Sequence, residues 1–229
     1  MIQNPVLDAD STGSGRGDDK SAAESGEADV ATRIARRTVA VRHDEYAQEV
    51  RRILDAALAL MKQHGTASKP RVADIVAAAG VSNDAFYRHF SSKDALVLAI
   101  IEDGNHRLTG YLAHEMAKQA APEDKVRRWV TGVLAQADGD IAAATLAVLW
   151  NGGGTGTTGG RHFSAAPLAA LLEEPYVALG SHNAGLDSLL AAHAVLGRLS
   201  DYLWSHVSPS TSARKHIAEL CVRLPGLAR

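Results

Sequence analysis

The chain has 229 residues, with 24 basic and 26 acidic side chains, and its net charge of −2 excludes no class of binding partner. Because Cys221 is the only cysteine, an internal disulfide and a cluster of cysteine thiolates around a metal are both excluded. The longest apolar run, residues 141–150, is too short to cross a bilayer, and the composition is typical of a soluble, cytoplasmic, helical protein.

Residues 1–42 differ in composition from the rest of the chain. The first 29 residues contain seven acids against Arg16 and Lys20, and they lack the apolar segment of a secretory signal. The following stretch, VATRIARRTVAVRH, contains four arginines, among them Arg42, and no acid. We therefore predict that residues 1–42 form a disordered acidic tail and a basic arm suited to phosphates; the alternative is a solvated, mobile leader.

Three helices are predicted over residues 43–91. The first is amphipathic, and its apolar residues recur with helical spacing at Val50, Ile53, Leu54, Ala57, Leu58 and Met61. The second has an apolar face that includes Ile75 and Val76, and Gly80 favours its end because glycine adopts a left-handed backbone at low cost. Ser82 is a natural N-cap for the third helix.

The second and third helices, joined by a Gly-Val-Ser turn, match a helix-turn-helix unit. Phe86 and Phe90 are four residues apart and are predicted to face inward. The residues left on or near the outer face are Asn83, Tyr87, Arg88 and His89. The alternative is a simple helical corner, which also occurs in all-helical proteins with no nucleic-acid role.

A fourth helix is predicted to begin at Ser91 or Ser92, with Asp94 in its first turn. Together, the four predicted helices resemble the DNA-binding domain of the tetracycline-repressor (TetR) family of bacterial transcriptional regulators. The resemblance is carried by the segments ILDAALALMKQHG and DIVAAAGVSNDAFYRHFSSKDALVLAI. The resemblance runs from near Asp44 to Asp103. It implies an all-α fold, with an N-terminal three-helix helix-turn-helix domain, residues 43–91, and a C-terminal helical ligand-binding and dimerisation domain, residues 92–229.

The resemblance also implies roles for single residues on DNA. Tyr87 and Lys93 match positions that contact phosphates, and His89 matches one that contacts the DNA backbone or a base. The variable positions that read bases are Asn83, Asp84, Ala85 and Arg88. Arg88 suits guanine, Asn83 adenine and Asp84 cytosine. The alternatives are that Asp84 only stabilises the helix dipole, Asn83 binds phosphate, and Arg88 lies against solvent or the DNA backbone.

Two features depart from a simple basic DNA-binding domain. Arg71 stands where the family has Ser or Thr as N-cap, so Ser68 is expected to cap instead, with Pro70 in the first turn. Arg71 would then point toward the phosphates or into water. From residue 44 to 103, seven bases stand against nine acids, so the arm that contains Arg42 is expected to supply much of the DNA affinity.

Beyond Gly104 the sequence indicates further helices with weak boundaries. They are predicted over 106–119, from Pro122 onward, and over 141–150, 167–179, 186–206 and 210–224. Leu189, Leu196 and Leu203 are spaced seven apart with Leu199 between them, a stripe suited to pairing with another helix. Since the family pairs its last two long helices across a dimer, the stripe predicts a homodimer; the alternative is a stripe buried within one chain.

The glycine run gives an alternative from another functional class. Gly154–Gly159 matches GxGxxG, and Glu173 lies nineteen residues past the first glycine, near the spacing of a dinucleotide-binding fingerprint. A nucleotide-binding oxidoreductase would need a strand before the glycines and a helix directly after them, and neither is indicated. A flexible loop between two helices is the simpler interpretation.

No histidine pair has ligand spacing and no serine lies in GxSxG, so we predict no metal, no cofactor and no catalytic residue. The resemblance instead implies an unknown small-molecule effector, apolar or aromatic, in a cavity of the C-terminal domain. Residues that combine apolar bodies with polar handles are candidates to line it, namely Tyr111, Met116, Trp129, Trp150, Phe163, Tyr176 and His193. The predicted function is a repressor, released by this effector from a palindromic operator on double-stranded DNA; the alternatives within DNA binding are an activator or a regulator with no small ligand.

Overall fold

The computed structural model describes residues 19–152 and 165–226. Within these ranges nine α-helices occur and no strand: α1 Asp19–His64, α2 Val72–Ala79, α3 Asn83–His89, α4 Lys93–Ala117, α5 Pro122–Leu134, α6 Gly139–Asn151, α7 Ala166–Ala178, α8 Ala184–Trp204 and α9 Thr211–Arg223. Short 3-10 turns occur at Ala135–Ala137 and Leu224–Gly226. The predicted all-α fold class is confirmed.

The chain divides into two compact units, Met1–Gln48 and Glu49–Arg229. In the first unit, residues 19–48 belong to α1, and every side chain from residue 29 to 48 is exposed. The structure describes residues 19–42 as part of this helix, while their disorder and their role as an arm stay predictions. Alanine and arginine favour helix locally, and an Arg33–Asp29 pair at 3.6 Å adds a contact of helical spacing. Residues 1–18 lie outside the described residues.

The helix-turn-helix part of the second unit has a hydrophobic core. Phe86 of α3 is fully buried and Phe90 is 8% exposed, which confirms that both face inward. Ile53 and Met61 of α1 join them, and α4 contributes four buried residues, Leu96, Val97, Ile100 and Ile101. Ala147 and Val148 of α6 complete this core, although the sequence predicts α6 in the other domain. The core thus extends past the predicted boundary at residue 91.

Backbone capping sets the corner between α2 and α3. Gly80 adopts φ 65°, and the Val81 amide donates to the carbonyl of Val76 at 3.1 Å, which ends α2 as predicted. The Ser82 hydroxyl accepts from the amide of Ala85 at 3.0 Å and begins α3. Ser92 does the same for α4 by accepting from the amide of Ala95.

The start of α2 differs from the prediction that Ser68 caps it. Arg71 is the N-cap, and its backbone amide donates to Asp74 Oδ2 at 3.0 Å. Ser68 instead forms a hydrogen bond with His64 at 2.7 Å. The reciprocal Arg71–Asp74 contact stabilises the helix start, so the missing serine or threonine is replaced by an arginine–aspartate pair.

The remaining helices of the second unit enclose another hydrophobic core. Trp129, Val130, Val133 and Leu134 of α5 pack with Leu168, Leu172 and Tyr176 of α7 and with Val195, Leu199 and Leu203 of α8. Pro122 opens α5 as predicted, because its missing amide proton is not needed in the first turn. The segment predicted over 106–119 is the second half of the single helix α4.

Among the described residues, no individual helix has the length and apolar character needed to cross a membrane. Only Pro122–Ala137 joined with Gly139–Asn151 meets that test, and the pair is bent by 73°.

Candidate DNA-binding surface and ligand cavity

Helix α3 has one buried and one exposed face. Four side chains at helical spacing are exposed, namely Asn83, Asp84, Tyr87 and Arg88. Tyr87 is 57% exposed although it directly follows fully buried Phe86. These four residues form the exposed α3 face, which carries a phenol, a guanidinium, an amide and a carboxylate. All four are groups that hydrogen-bond to phosphates or to base edges.

Ala85 and His89 do not belong to the exposed α3 face, which corrects two of the predicted DNA contacts. Ala85 is 5% exposed because its position on α3 turns it toward the core with Phe86. The His89 side chain is 1% exposed, and its Nε2 lies 2.6 Å from Oε1 of Glu49. Neither side chain can contact a groove from this position, so both serve the packing of α3.

Glu49 of α1 holds the last turn of α3. Its Oε1 accepts from His89 and, at 3.4 Å, from Nη2 of Arg88. The hydrogen bond with His89 and the nearby cations lower the pKa of Glu49, although partial burial acts in the opposite direction. The carboxylate is therefore charged at neutral pH and stabilises both neighbours. Sequence reasoning missed Glu49, since its partners lie about forty positions away along the chain.

Arg71 is an exposed cation beside the turn. Its side chain is 82% exposed, and its guanidinium contacts Asp74 at 3.2 Å. Side-chain and backbone hydrogen bonds from Arg71 lower the pKa of Asp74. Arg71 is thus accessible to a phosphate, with part of its charge offset by Asp74.

Lys93 begins α4 and is half-buried. Its Nζ donates to the carbonyl of Pro70 at 3.0 Å, so it ties α4 to the segment before α2. Burial lowers the pKa of Lys93, and the positive charge of Lys69 acts in the same direction. The Nζ of Lys69 lies 5.8 Å from the ring centre of Trp150. Lys69 is therefore a further cation near Lys93 that sequence reasoning did not assign to DNA.

Arg42 lies on α1 within the first unit, where it is exposed. Its DNA contact stays a prediction.

Three of the predicted ligand residues lie in the hydrophobic core of the described part of the chain. Trp129 and Tyr176 are fully buried; Trp129 Nε1 donates to the carbonyl of Leu168 and the Tyr176 hydroxyl donates to that of Cys221, each at 3.0 Å. Burial raises the pKa of Tyr176. Met116 is 5% exposed in the same core. These three residues are core, because their polar atoms, where present, are satisfied by backbone carbonyls.

The other candidates are dispersed. Trp150 packs against Trp204 with ring centres 6.4 Å apart. His193 is exposed on α8, and its Nδ1 donates to the carbonyl of Leu189 at 2.7 Å. Phe163 lies outside the described residues. Tyr111, another of the predicted residues, lines a cavity between the described helices.

That cavity, of about 410 Å³, lies between α1, α4, α6 and α8. Its walls include Leu58 of α1, Ile100 and Ile101 of α4, Val148 of α6, and Leu199 of α8. Its volume is within the range of about 300–1,000 Å³ that small-molecule sites occupy. Sequence periodicity placed Leu58 on the apolar face of α1 and Leu199 in the leucine stripe, and it gave no signal for the space between these helices. We call this space the α4–α6 cavity.

The predicted leucine stripe of α8 is divided between core and surface. Leu199 and Leu203 are each 3% exposed and belong to the core of their own chain, and Leu196 is partly buried. Leu189 is 38% exposed and lies beside Leu186 and Leu190, which are 51% and 53% exposed. The exposed apolar residues of α8 therefore lie in its first half. Leu199 and Leu203, in its second half, are buried within their own chain, which agrees with the alternative of a stripe buried within one chain.

The helix-turn-helix segment of this chain matches the sequence model of a known protein family. The sequence model for "Bacterial regulatory proteins, tetR family" matches residues 53–100, which include α2, α3 and the start of α4. No curated protein matches the chain.

Three solved structures are similar in fold. A transcriptional regulator from Pseudomonas aeruginosa PAO1 is 23% identical, with a TM-score of 0.55 over 78% of this chain and 89% of that one. FadR from Bacillus subtilis, solved in complex with stearoyl-CoA, is 15% identical, with a TM-score of 0.55 over 76% and 96%. A TetR-family regulator from Mesorhizobium loti MAFF303099 is 14% identical, with a TM-score of 0.56 over 80% and 95%.

These matches do not support the alternative of a nucleotide-binding oxidoreductase. The parallel strands that such a site requires are absent from residues 19–152 and 165–226. The Gly154–Gly159 run itself lies outside the described residues.

Proposed function

We propose that this chain, whose residues 53–100 match the tetR family of bacterial regulatory proteins, is a dimeric repressor that a small molecule releases from a palindromic operator. DNA-binding regulation of transcription is the function of this family. We also propose that this regulator acts in the cytoplasm.

The exposed α3 face carries the proposal. A helix of seven residues that is capped at Ser82 and anchored by buried Phe86 projects Tyr87 and Arg88 outward. This is the arrangement by which a second helix of a helix-turn-helix enters the major groove. We assign Arg88, Asn83 and Asp84 to base edges, and Tyr87, Arg71 and Lys93 to phosphates, with Lys69 as an added phosphate contact.

A mobility-shift titration on the intergenic DNA beside the gene tests this assignment. Arg88→Ala and Tyr87→Ala should each weaken specific binding by about tenfold or more, since one good base or charged contact contributes about 1–3 kcal/mol. Arg198→Ala is the matched control, because Arg198 is an exposed arginine on α8 that pairs with Asp201 at 2.8 Å. Equal binding by all four proteins would remove α3 as the recognition helix.

The dimer is proposed to use the first half of α8. Leu186, Leu189 and Leu190 are exposed together, and a second copy of the same surface would bury them by twofold symmetry. Leu190→Glu should convert the dimer to a monomer in light scattering coupled to gel filtration. Val39→Glu, which changes an exposed apolar residue of the first unit, should leave the mass unchanged. A dimeric Leu190→Glu protein would place the interface elsewhere.

The α4–α6 cavity supports the effector part of the proposal. The similar FadR structure from Bacillus subtilis was solved in complex with stearoyl-CoA, so a protein of similar fold can bind an organic ligand. A ligand changes DNA affinity only if it binds one conformation of the protein better than another. Release of the operator is therefore expected only for ligands whose affinity differs between the DNA-bound and DNA-free states.

A further inference from the structure

We propose that the α4–α6 cavity takes an apolar organic anion, whose single negative group pairs with Arg107 and whose body fills the space beside the helix-turn-helix core. The expected effect of the ligand on DNA binding rests on the proposed regulatory function. Binding of the ligand to the protein does not, because it depends only on the cavity.

The walls determine the apolar part of the ligand. Nine aliphatic side chains line the cavity, among them Leu58, Ile101 and Leu149, together with the ring of Tyr111. Polar groups on the walls are few, and three of them are the neutral side chains Asn105, Gln136 and Thr145. Apolar walls with a few polar groups favour a ligand that is mostly hydrocarbon or aromatic, since burial of its apolar surface drives binding.

The charged side chain on the cavity wall determines the sign of the charge expected on the polar end of the ligand. Among the residues that line the cavity, Arg107 alone carries a full charge at neutral pH. Its Nε donates to Asp103 at 2.9 Å, and Arg51 reaches the same carboxylate at 3.3 Å. Two guanidinium groups thus share one carboxylate, which leaves one net positive charge in this cluster. The Arg107 side chain is 60% exposed, so its remaining donors are accessible to an anion.

The position of the cavity connects it to the DNA-binding helices. Ile100, Ile101 and Val148 line the cavity and also belong to the core that buries Phe86. Leu58, on the same helix as Glu49, packs against that core and forms part of the wall. Because protein cores are close-packed, a ligand that presses on these side chains changes how α1 and α4 support α3. The shared wall is therefore the route from ligand to recognition helix.

A matched pair of fluorescent probes tests the ligand class with the full-length protein. 1-Anilinonaphthalene-8-sulfonate is an apolar anion, and N-phenyl-1-naphthylamine is the same ring system without the sulfonate. The wild type should bind both. Arg107→Gln should weaken binding of the sulfonate about tenfold and leave binding of the neutral probe within about twofold. Arg198→Gln, an exposed arginine outside the cavity, should change neither.

A cavity-filling variant tests the location. Ala144 lines the cavity and is half-buried, so Ala144→Trp should abolish binding of both probes. Circular dichroism and thermal unfolding report whether this variant folds, and Ala144→Leu replaces it if the tryptophan lowers the melting temperature strongly. Undiminished binding of both probes to a folded filling variant would overturn the site. Equal sulfonate affinity in wild type and Arg107→Gln would overturn the anion.

The link to DNA is tested separately. The sulfonate probe should weaken the mobility shift of the wild type and have a smaller effect at the same concentration on Arg107→Gln. If the two probes bind as expected but neither the wild type nor any variant binds DNA, the proposed function fails and the cavity assignment stands. If DNA binding is intact and the bound sulfonate leaves it unchanged, the link through the shared wall is wrong.

Discussion

Nε2 of His89, in the last turn of α3, lies 2.6 Å from Oε1 of Glu49 in α1, so α3 is linked to a residue forty positions earlier in the chain. The histidine side chain is almost fully buried, while that of Glu49 is 26% exposed. The contact joins the C-terminal end of α3 to the rest of the helix-turn-helix core, whereas Ser82 fixes its N-terminal end. The short helix is thereby held at both ends.

Glu49→Gln should lower the melting temperature at pH 7. The amide keeps the shape of the side chain but loses the charge that strengthens the hydrogen bonds from His89 and Arg88. Asp55→Asn is the control, since Asp55 is an exposed acid on the same helix and such changes usually alter the free energy of unfolding by less than about 0.5 kcal/mol. Equal melting temperatures for Glu49→Gln and Asp55→Asn would show that the hydrogen bond between Glu49 and His89 does not stabilise the fold.

Asp74→Asn should remove part of the acid sensitivity of the fold. The hydrogen bonds from Arg71 lower the pKa of Asp74 in the folded state below its ordinary value of 3.8. A carboxylate with a depressed pKa stabilises the protein above its unfolded pKa, and this stabilisation is lost as the pH falls through the folded value. The difference in unfolding free energy between wild type and Asp74→Asn should therefore be constant from pH 5 to 7 and shrink below about pH 4.

Arg71→Ala provides the reciprocal measurement. It removes the guanidinium but keeps the backbone hydrogen bond from residue 71, so its acid sensitivity should lie between those of the wild type and Asp74→Asn. A difference between wild type and Asp74→Asn that does not change between pH 3 and 7 would contradict the role of the pair.

Phe86→Ala and Tyr87→Ala should affect different properties although the residues are neighbours: the first should lower stability and the second DNA affinity. Phe86 is fully buried, so its truncation should cost about 3–5 kcal/mol of unfolding free energy. Tyr87 is 57% exposed, and its truncation should leave the unfolding free energy within about 0.5 kcal/mol while DNA affinity falls. Urea unfolding and a DNA titration of both variants make the comparison, and a strongly destabilised Tyr87→Ala would contradict the orientation of α3.

Gly80→Ala should destabilise the protein by about 1–2 kcal/mol, because an L-residue at φ 65° strains the backbone. An added Cβ at Gly80 would meet no atom within 4 Å, so the cost is one of conformation and not of packing. Gly110→Ala is the matched control inside α4, where the Cβ also meets nothing within 4 Å. It should stabilise by about 0.5–1 kcal/mol, since alanine is the better helix former. Two changes of the same sign would contradict this account.

Replacing Arg33, Arg36, Arg37 and Arg42 with glutamine in the full chain should lower DNA affinity and flatten its dependence on salt. Each lost phosphate contact reduces the slope of log K against log salt by about 0.9. Affinity measured at several salt concentrations gives that slope. An unchanged slope would show that the basic segment of α1 makes no phosphate contact.

The corner of the helix-turn-helix could be predicted from the sequence because its causes are local. Gly80 ends α2 through its own backbone freedom, Ser82 caps α3 through an amide three residues away, and Phe86 and Phe90 share a face by helical spacing. The match of residues 53–100 to one family and the all-α fold class follow from the same kind of local evidence.

Which polar and apolar residues are accessible was decided by tertiary structure. His89 is buried by a contact with Glu49, and Trp129 is satisfied by the carbonyl of Leu168, thirty-nine residues later. Leu203 lies in the core although the leucine spacing predicted it on a dimer surface. Periodicity shows which residues share a helix face, but only packing against distant segments decides whether that face is buried, exposed or beside a cavity.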